Sequence, residues 1–259
     1  MKLDFENCYW QERFNFQDFC VTMKQRCPHL HTLVLHYAFI SVSLPSMIDI
    51  CSEILPNLKV LILESEFGHE LMEREYHGIS KIEILDVSHC GNVSLCPLWK
   101  MPYLKKLRFT GLPMAHWFWG EETAPFLHQL EVLHLGQTNI GPYTLRLLQK
   151  YAVNLTELSL CHTHLNDNDF NFSNFIFPFL KTICLTECKV TCEGIISLIQ
   201  SHPLLQTIYV DEDMAKVYAK HPFVTANISK LGIVKHIDNC DCHNILDYLH
   251  NNEYDTYLT

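Results

Sequence analysis

One spacing of apolar positions recurs along the chain: an apolar residue, two variable residues, a second apolar residue, one variable residue, then a third apolar residue. It reads Leu30/Leu33/Leu35, Leu58/Leu61/Leu63, Ile82/Leu85/Val87, Leu104/Leu107/Phe109 and Leu130/Leu133/Leu135. It continues as Leu155/Leu158/Leu160, Leu180/Ile183/Leu185 and Leu205/Ile208/Val210, with a weaker copy at Ile228/Leu231/Ile233. Successive copies begin 28, 24, 22, 26, 25, 25, 25 and 23 residues apart. The alternation at the end of each copy predicts a short strand with two inward residues. A unit of about 25 residues cannot bury its own apolar face, so the period predicts a solenoid in which neighbouring coils supply the core.

Between the strands, apolar residues recur at three- and four-residue intervals, predicting helical return segments. Examples are Met47-Ile48-Ile50-Cys51-Ile54-Leu55, Leu145-Leu147-Leu148-Tyr151 and Ile195-Ile196-Leu198-Ile199. The sixth return, with Phe170, Phe172, Phe175 and Phe177, lacks that spacing and is expected to be irregular and phenylalanine-packed. Within it, Asn166-Asp167-Asn168-Asp169 reads as a turn-rich loop. Proline stands two residues before the opening apolar residue at Pro28, Pro56, Pro102, Pro178 and Pro203, where it stops the preceding helix. The expected fold is a right-handed α/β leucine-rich-repeat solenoid, a horseshoe with parallel strands on the concave face and helices or irregular turns on the convex face. The chain reads as a single domain over 1–259. Residues 1–29 form a partial N-terminal repeat or cap, 30–227 eight repeats, and 228–259 a degenerate last repeat with a helical cap from Asn244 to His250. Leu3 and Phe5 fit the inner pair of a repeat that begins before Met1, so the chain is expected to start inside a coil.

The segment Leu180-x-x-Ile183-x-Leu185-x-x-Cys188-x-Val190-Thr191-x-Glu193-Gly194-Ile195-x-x-Leu198 resembles the cysteine-containing class of leucine-rich repeat. That class is typical of F-box and leucine-rich-repeat proteins, the substrate receptors of cullin-based ubiquitin ligases. The ninth position of the unit, Cys or Asn in that class, is Cys90 and Cys188 here and Thr138 and Thr163 in two other copies. It departs from the pattern at Ala38, Glu66, Leu112 and Asp213. The resemblance implies protein recognition as the substrate-binding part of an SCF-type ligase. An F-box is not visible in the chain; Leu44-Pro45 through Ile54-Leu55-Pro56 is read as a convex-side helix instead. Adaptor and cullin are therefore implied as partners only if an F-box lies upstream.

Residues alternating with the inner pair are expected on the concave face. The row nearest the strand centre is Val34, Ile62, Asp86, Arg108, His134, Ser159, Cys184 and Tyr209, flanked on one side by Thr32, Val60, Ile84, Lys106, Val132, Glu157, Thr182 and Thr207. Beyond it lie His36, Glu64, Ser88, Thr110, Gly136, Cys161, Thr186 and Asp211, then Tyr37, Ser65, His89, Gly111, Gln137, His162, Glu187 and Glu212. The face is polarised: an apolar N-terminal third, a charged middle around Asp86–Arg108, and an acidic end at Glu187, Asp211 and Glu212. The expected partner-binding residues are Val34, His36, Tyr37, Ile62, Asp86, His89, Arg108, His134, His162, Glu187, Tyr209, Asp211 and Glu212. A second candidate, the aromatic return Gly111 to Gly120 with Trp117, Phe118 and Trp119, is expected to pack rather than bind.

Composition narrows the function classes. Nineteen Lys plus Arg against 29 Asp plus Glu leave a net charge of −10, a poor match for nucleic-acid phosphates. No apolar stretch is long enough for a membrane span, and the acidic N-terminus does not read as a signal peptide, so the expected setting is the cytoplasm or nucleus with reduced thiols. No phosphate-binding loop, dinucleotide fingerprint or nucleophile elbow is present, so neither an enzyme nor a cofactor is expected. Twelve cysteines and 16 histidines prompt a search for metal ligands. His236, Cys240, Cys242 and His243 crowd into eight residues, and Cys161, His162 and His164 lie near Cys184, but neither set has the paired spacing of a zinc site, so no metal is expected. The other readings are a leucine-rich-repeat scaffold or inhibitor unrelated to ubiquitin, and a metal or redox sensor using these Cys/His clusters.

Overall fold

The computed structural model describes residues 1–5, 15–36, 44–64, 80–88, 101–111, 124–170, 176–218, 220, 222 and 234–235. Ten strands pair in parallel in chain order, each with the next: β1 (Lys2–Phe5), β2 (Thr32–His36), β3 (Val60–Glu64), β4 (Ile84–Asp86), β5 (Lys106–Arg108), β6 (Val132–His134), β7 (Glu157–Ser159), β8 (Thr182–Cys184), β9 (Thr207–Tyr209) and β10 (Val234–Lys235). Helices α1 (Phe16–Arg26), α2 (Leu44–Ile54), α3 (Ala124–Leu127), α4 (Pro142–Tyr151), α5 (Asp167–Phe170), α6 (Cys192–Ser201) and α7 (Glu212–Tyr218) lie in the returns. A parallel sheet in strict sequence order requires a crossover after every strand, all of the same kind. The molecule is thus an α/β leucine-rich-repeat horseshoe.

The register follows the apolar repeat. Leu33 faces Leu61, Leu61 faces Leu85, Leu85 faces Leu107, and the column continues through Leu133, Leu158, Ile183 and Ile208. These residues are at most 1% exposed and belong to one core cluster running from Phe16 to Val210. Before each strand the same turn recurs. The N–H of Leu30, Leu58, Leu104, Leu130, Leu155, Leu180 and Leu205 donates to the carbonyl three residues earlier at 3.0–3.2 Å. Proline at the second position of five of these turns presets the backbone angle the turn needs.

The ninth position of the unit acts as a backbone clamp. The Thr138 hydroxyl donates to the Leu135 carbonyl at 2.5 Å and the Thr163 hydroxyl to Leu160 at 2.7 Å, while Cys188 Sγ donates across coils to Leu160 at 3.1 Å. The threonine hydroxyls thus close their own coil, while the Cys188 thiol reaches back to the coil before it, each bringing one short donor to a carbonyl just past a strand.

Two sequence expectations need revision. The run beginning at Asp167 is a short helix, not only a loop. Asn166 Oδ1 accepts from the Asn168 N–H at 2.9 Å, and Asp169 Oδ2 accepts from the Asn166 N–H at 2.9 Å, a local capping arrangement. The last strand pairs Val234 with Ile208, which places it three residues later than the Leu231 register the apolar spacing suggested. Helix α1 ends just before Pro28, the first of the prolines expected to stop a helix, and Asn15 caps its start by accepting from the N–H of Gln17 and Asp18. The C-terminal cap expected from Asn244 to His250 and the aromatic return segment after Gly111 lie outside the described residues. Among the described residues, no helix is long and apolar enough to cross a membrane.

His202 occupies a position that is apolar in other coils (Leu55, Met101, Leu127, Ala152, Phe177), and it is 2% exposed. Its Nε2 accepts the Phe177 N–H at 3.0 Å, so Nδ1 carries the proton and donates to the Leu198 carbonyl at 2.9 Å, at the end of α6. Burial lowers its pKa, with the Leu198 carbonyl pulling weakly the other way. The unfolded chain therefore binds more protons at this residue, and its contribution to stability falls as pH drops below the ordinary histidine value of about 6.5. Melting between pH 7.5 and 5.5 is expected to show a smaller loss of stability for His202→Met than for the wild type. Equal slopes for the two proteins would exclude this role.

Candidate functional site

The concave face is more tightly closed than simple alternation suggested. In the row nearest the strand centre, Val34, Ile62, Asp86, Arg108, Ser159 and Cys184 are buried, and only His134 and Tyr209 are partly exposed. Strands about 4.8 Å apart press each of these side chains between neighbours, while flanking rows crowd it along the strand. Val34, Val60 and Ile62 form a small apolar cluster of their own, with Ile84 packed against it. Four residues expected to present to a partner, Val34, Ile62, Asp86 and Arg108, thus sit behind the surface. The side chain of His36, and all of Tyr37 and His89, lie outside the described residues.

The middle of the face holds a buried charge pair. Arg108 Nη1 lies 3.8 Å from Asp86 Oδ2, and the Ser88 hydroxyl and N–H donate to Asp86 Oδ1 at 2.5 and 3.0 Å. Burial raises the Asp86 pKa, opposed by Arg108 and by the Ser88 hydrogen bonds. On the next two coils His134 Nε2 meets Glu157 Oε1 at 2.7 Å. Side chains from four successive strands thus form a polar band across the sheet.

What remains open is the rim past the strand ends. His162, Glu187 and Glu212 are exposed, and Gln137 and Asp211 are half-buried. Gly111, Gln137, His162 and Glu187 share a left-handed backbone, with φ of 73°, 56°, 54° and 58°. This conformation costs about 1–2 kcal/mol for a residue with a side chain and is compensated here by ladder hydrogen bonds. The N–H of Gly111, Gln137 and His162 donates to the carbonyl of Gly136, Cys161 and Thr186 at 3.0, 2.8 and 2.8 Å. At Glu187 the series changes: its N–H donates to the Asp211 carboxylate, 3.0 and 3.1 Å from the two oxygens. Asp211 directly precedes α7, where the strand path ends and a helix begins. Its side chain replaces the missing ladder acceptor, making Asp211 a structural residue as well as an acidic one. The left-handed column was missed from sequence, although Gly111 marked its first member.

The acidic end is thus Glu187, Asp211, Glu212 and the exposed Asp213, with Lys216 Nζ 2.7 Å from Glu212 in an exposed, weak pair. Among the described residues, no group of three or more His, Cys, Asp or Glu side chains is placed to hold a metal. Cys161 and Cys184, expected at the surface, are 0% and 4% exposed, while His162 and His164 point to solvent. The cluster from His236 to His243 lies outside the described residues.

No family model matches the sequence, and no curated protein matches it by sequence. Among solved structures the chain is similar to human 5T4 (Wnt-activated inhibitory factor 1, trophoblast glycoprotein), with TM-score 0.47, 17% identity, and coverage of 73% of this chain and 74% of that one. It is also similar to internalin C2 of Listeria monocytogenes, with TM-score 0.45, 19% identity and 80% of each chain covered. The fold assignment rests on the chain's own repeat and sheet order.

Proposed function

We propose that this chain is a protein-recognition solenoid whose C-terminal rim receives a basic segment of a protein partner. The observation that carries this reading is the exposed acidic pair Glu187 and Glu212 on consecutive coils, with Asp211 and Asp213 alongside and the half-buried ring of Tyr209 close by. An aromatic next to a same-sign charge strip offers packing and long-range steering together. The resemblance at Leu180 to Leu198, with its ninth-position donor Cys188, supports a finer reading: the substrate-binding part of an F-box subunit in a cullin-based ubiquitin ligase.

The test compares full-length wild type with a Glu187→Lys/Glu212→Lys variant in affinity capture from the same cells, at low and high salt. Proteins that depend on the rim should fall several-fold with the variant at low salt, and the difference should shrink at high salt. Equal recovery at low salt would remove the acidic rim from the mechanism. Recovery of adaptor and cullin, unaffected by the variant, is expected for the ligase reading only where an F-box lies upstream of this chain; their absence even with the upstream sequence joined leaves a scaffold or inhibitor unrelated to ubiquitin.

A further inference from the structure

Two thiols meet on the concave side, one just past β7 and one at the end of β8. Ser159 pairs with Cys184, and the His162 N–H donates to the Thr186 carbonyl at 2.8 Å, so Cys161 lies level with Thr186 and diagonal to Cys184. Cys161 and Cys184 form a cluster separate from the main core, with Tyr209 packed against it. The preceding coil makes room for the first sulfur. A Cβ on Gly136 would fall on Cys161 Sγ and stand 3.2 Å from the Cys161 carbonyl oxygen. Hydroxyls flank both sulfurs, Ser159 Oγ at 3.5 Å from Cys161 Sγ and Thr186 Oγ1 at 3.2 Å from Cys184 Sγ. Neither cysteine is in a disulfide.

The surroundings favour a thiolate at one of the two. Hydrogen bonding from the Cys161 thiol, then from the Thr186 hydroxyl and N–H, lowers the Cys184 pKa against the opposing effect of burial. Cys161, as the donor, is pushed up. The contrast lies in the core between α1 and α2, where Cys20 and Cys51 also meet at 0% and 1% exposure. There the hydrogen bond and burial act together to raise Cys51 well above the ordinary thiol range. Nearby Cys188 is pushed up to about 12 by burial.

We propose that Cys161 and Cys184 are a two-thiol redox site that closes to a disulfide with hydrogen peroxide and reopens with a dithiol reductant. The Cys184 thiolate attacks one peroxide oxygen, the O–O bond breaks, and hydroxide leaves to take up the proton Cys184 released, giving a sulfenic acid and one water. The Cys161 sulfur then attacks the Cys184 sulfur; its thiol proton and the departing hydroxyl form the second water. Two thiols are oxidised and one peroxide is reduced to two waters. Drawing the sulfurs to about 2.05 Å ties two coils together under Tyr209 and alters its seat. Any effect on partner binding rests on the recognition reading above; the bond itself does not.

The experiment uses the reduced full-length protein without a partner, so its failure is distinct from failure of that reading. After peroxide treatment, free thiols are blocked with a light alkylating reagent under denaturing conditions. Disulfides are then reduced and labelled with the heavy reagent. Cys184 and Cys188 share the tryptic peptide 182–189 and are resolved by fragmentation. Heavy label at Cys161 and Cys184 is expected to rise together, at least tenfold over untreated protein, and to be lost when dithiothreitol precedes blocking, while Cys20, Cys51 and Cys188 stay light. Both thiols staying light at peroxide levels that oxidise glutathione overturns the proposal. So does heavy label at only one of the two, or a crosslink between chains on a non-reducing gel. Cys161→Ser, where it folds, should leave Cys184 as a sulfenic acid trapped by dimedone; no adduct there also counts against the site.

Discussion

Replacing Arg108 with alanine is expected to destabilise the protein by about 3–5 kcal/mol at pH 7.5, read from urea denaturation. The Arg108 and Asp86 side chains are 3% and 6% exposed, so removing the guanidinium leaves a buried carboxylate with only Ser88 among the partners described above. The sign with pH follows from the direction at Asp86. Its folded pKa already lies above the ordinary carboxylate value because of burial, and loss of Arg108 removes the main opposing influence. The folded variant then holds a proton that the unfolded chain releases, so its deficit relative to wild type shrinks as pH falls toward 5. Asp86→Leu/Arg108→Met should recover most of the loss, since an apolar pair of similar size carries no desolvation cost. A deficit under about 1 kcal/mol, or one independent of pH, would mean the pair does not hold the middle of the face.

Leu158→Ala in β7 is expected to cost about 2–5 kcal/mol by the same measurement. Leu158 is 0% exposed and lies in register between Leu133 and Ile183, so truncation opens a cavity shared by three coils. Thr182→Ala, one coil on and facing the concave side, is half-buried and should cost less than about 1 kcal/mol. Comparable losses at the two positions would contradict the inward–outward phase of the strands.

That phase was legible in the sequence because it is periodic. The inner leucines, the prolines before the strands and the ninth-position threonines each repeat at one place in the coil, so a single chain carries several copies of the same instruction. The less legible features occur once or depend on crowding. His202 stands where an aliphatic residue is usual, and only the Phe177 N–H and Leu198 carbonyl explain it. The burial of Asp86 and Arg108 depends on how closely neighbouring rows press together, which alternation does not encode. The dual use of Asp211 arises because a ladder of backbone acceptors meets the start of a helix. At the last strand the apolar pattern weakens, and with it the register read from it, three residues from the observed pairing.

Every strand in the sheet bonds only to its neighbours in chain order. Mechanically, this is a row of springs in series. A small change in rotation at each of several coil interfaces adds along the row, so curvature can change appreciably while no single coil leaves its packing minimum. A partner spanning the C-terminal coils thus meets a surface stiff within each unit and compliant between units. A covalent tie between two adjacent coils would remove one spring from the row.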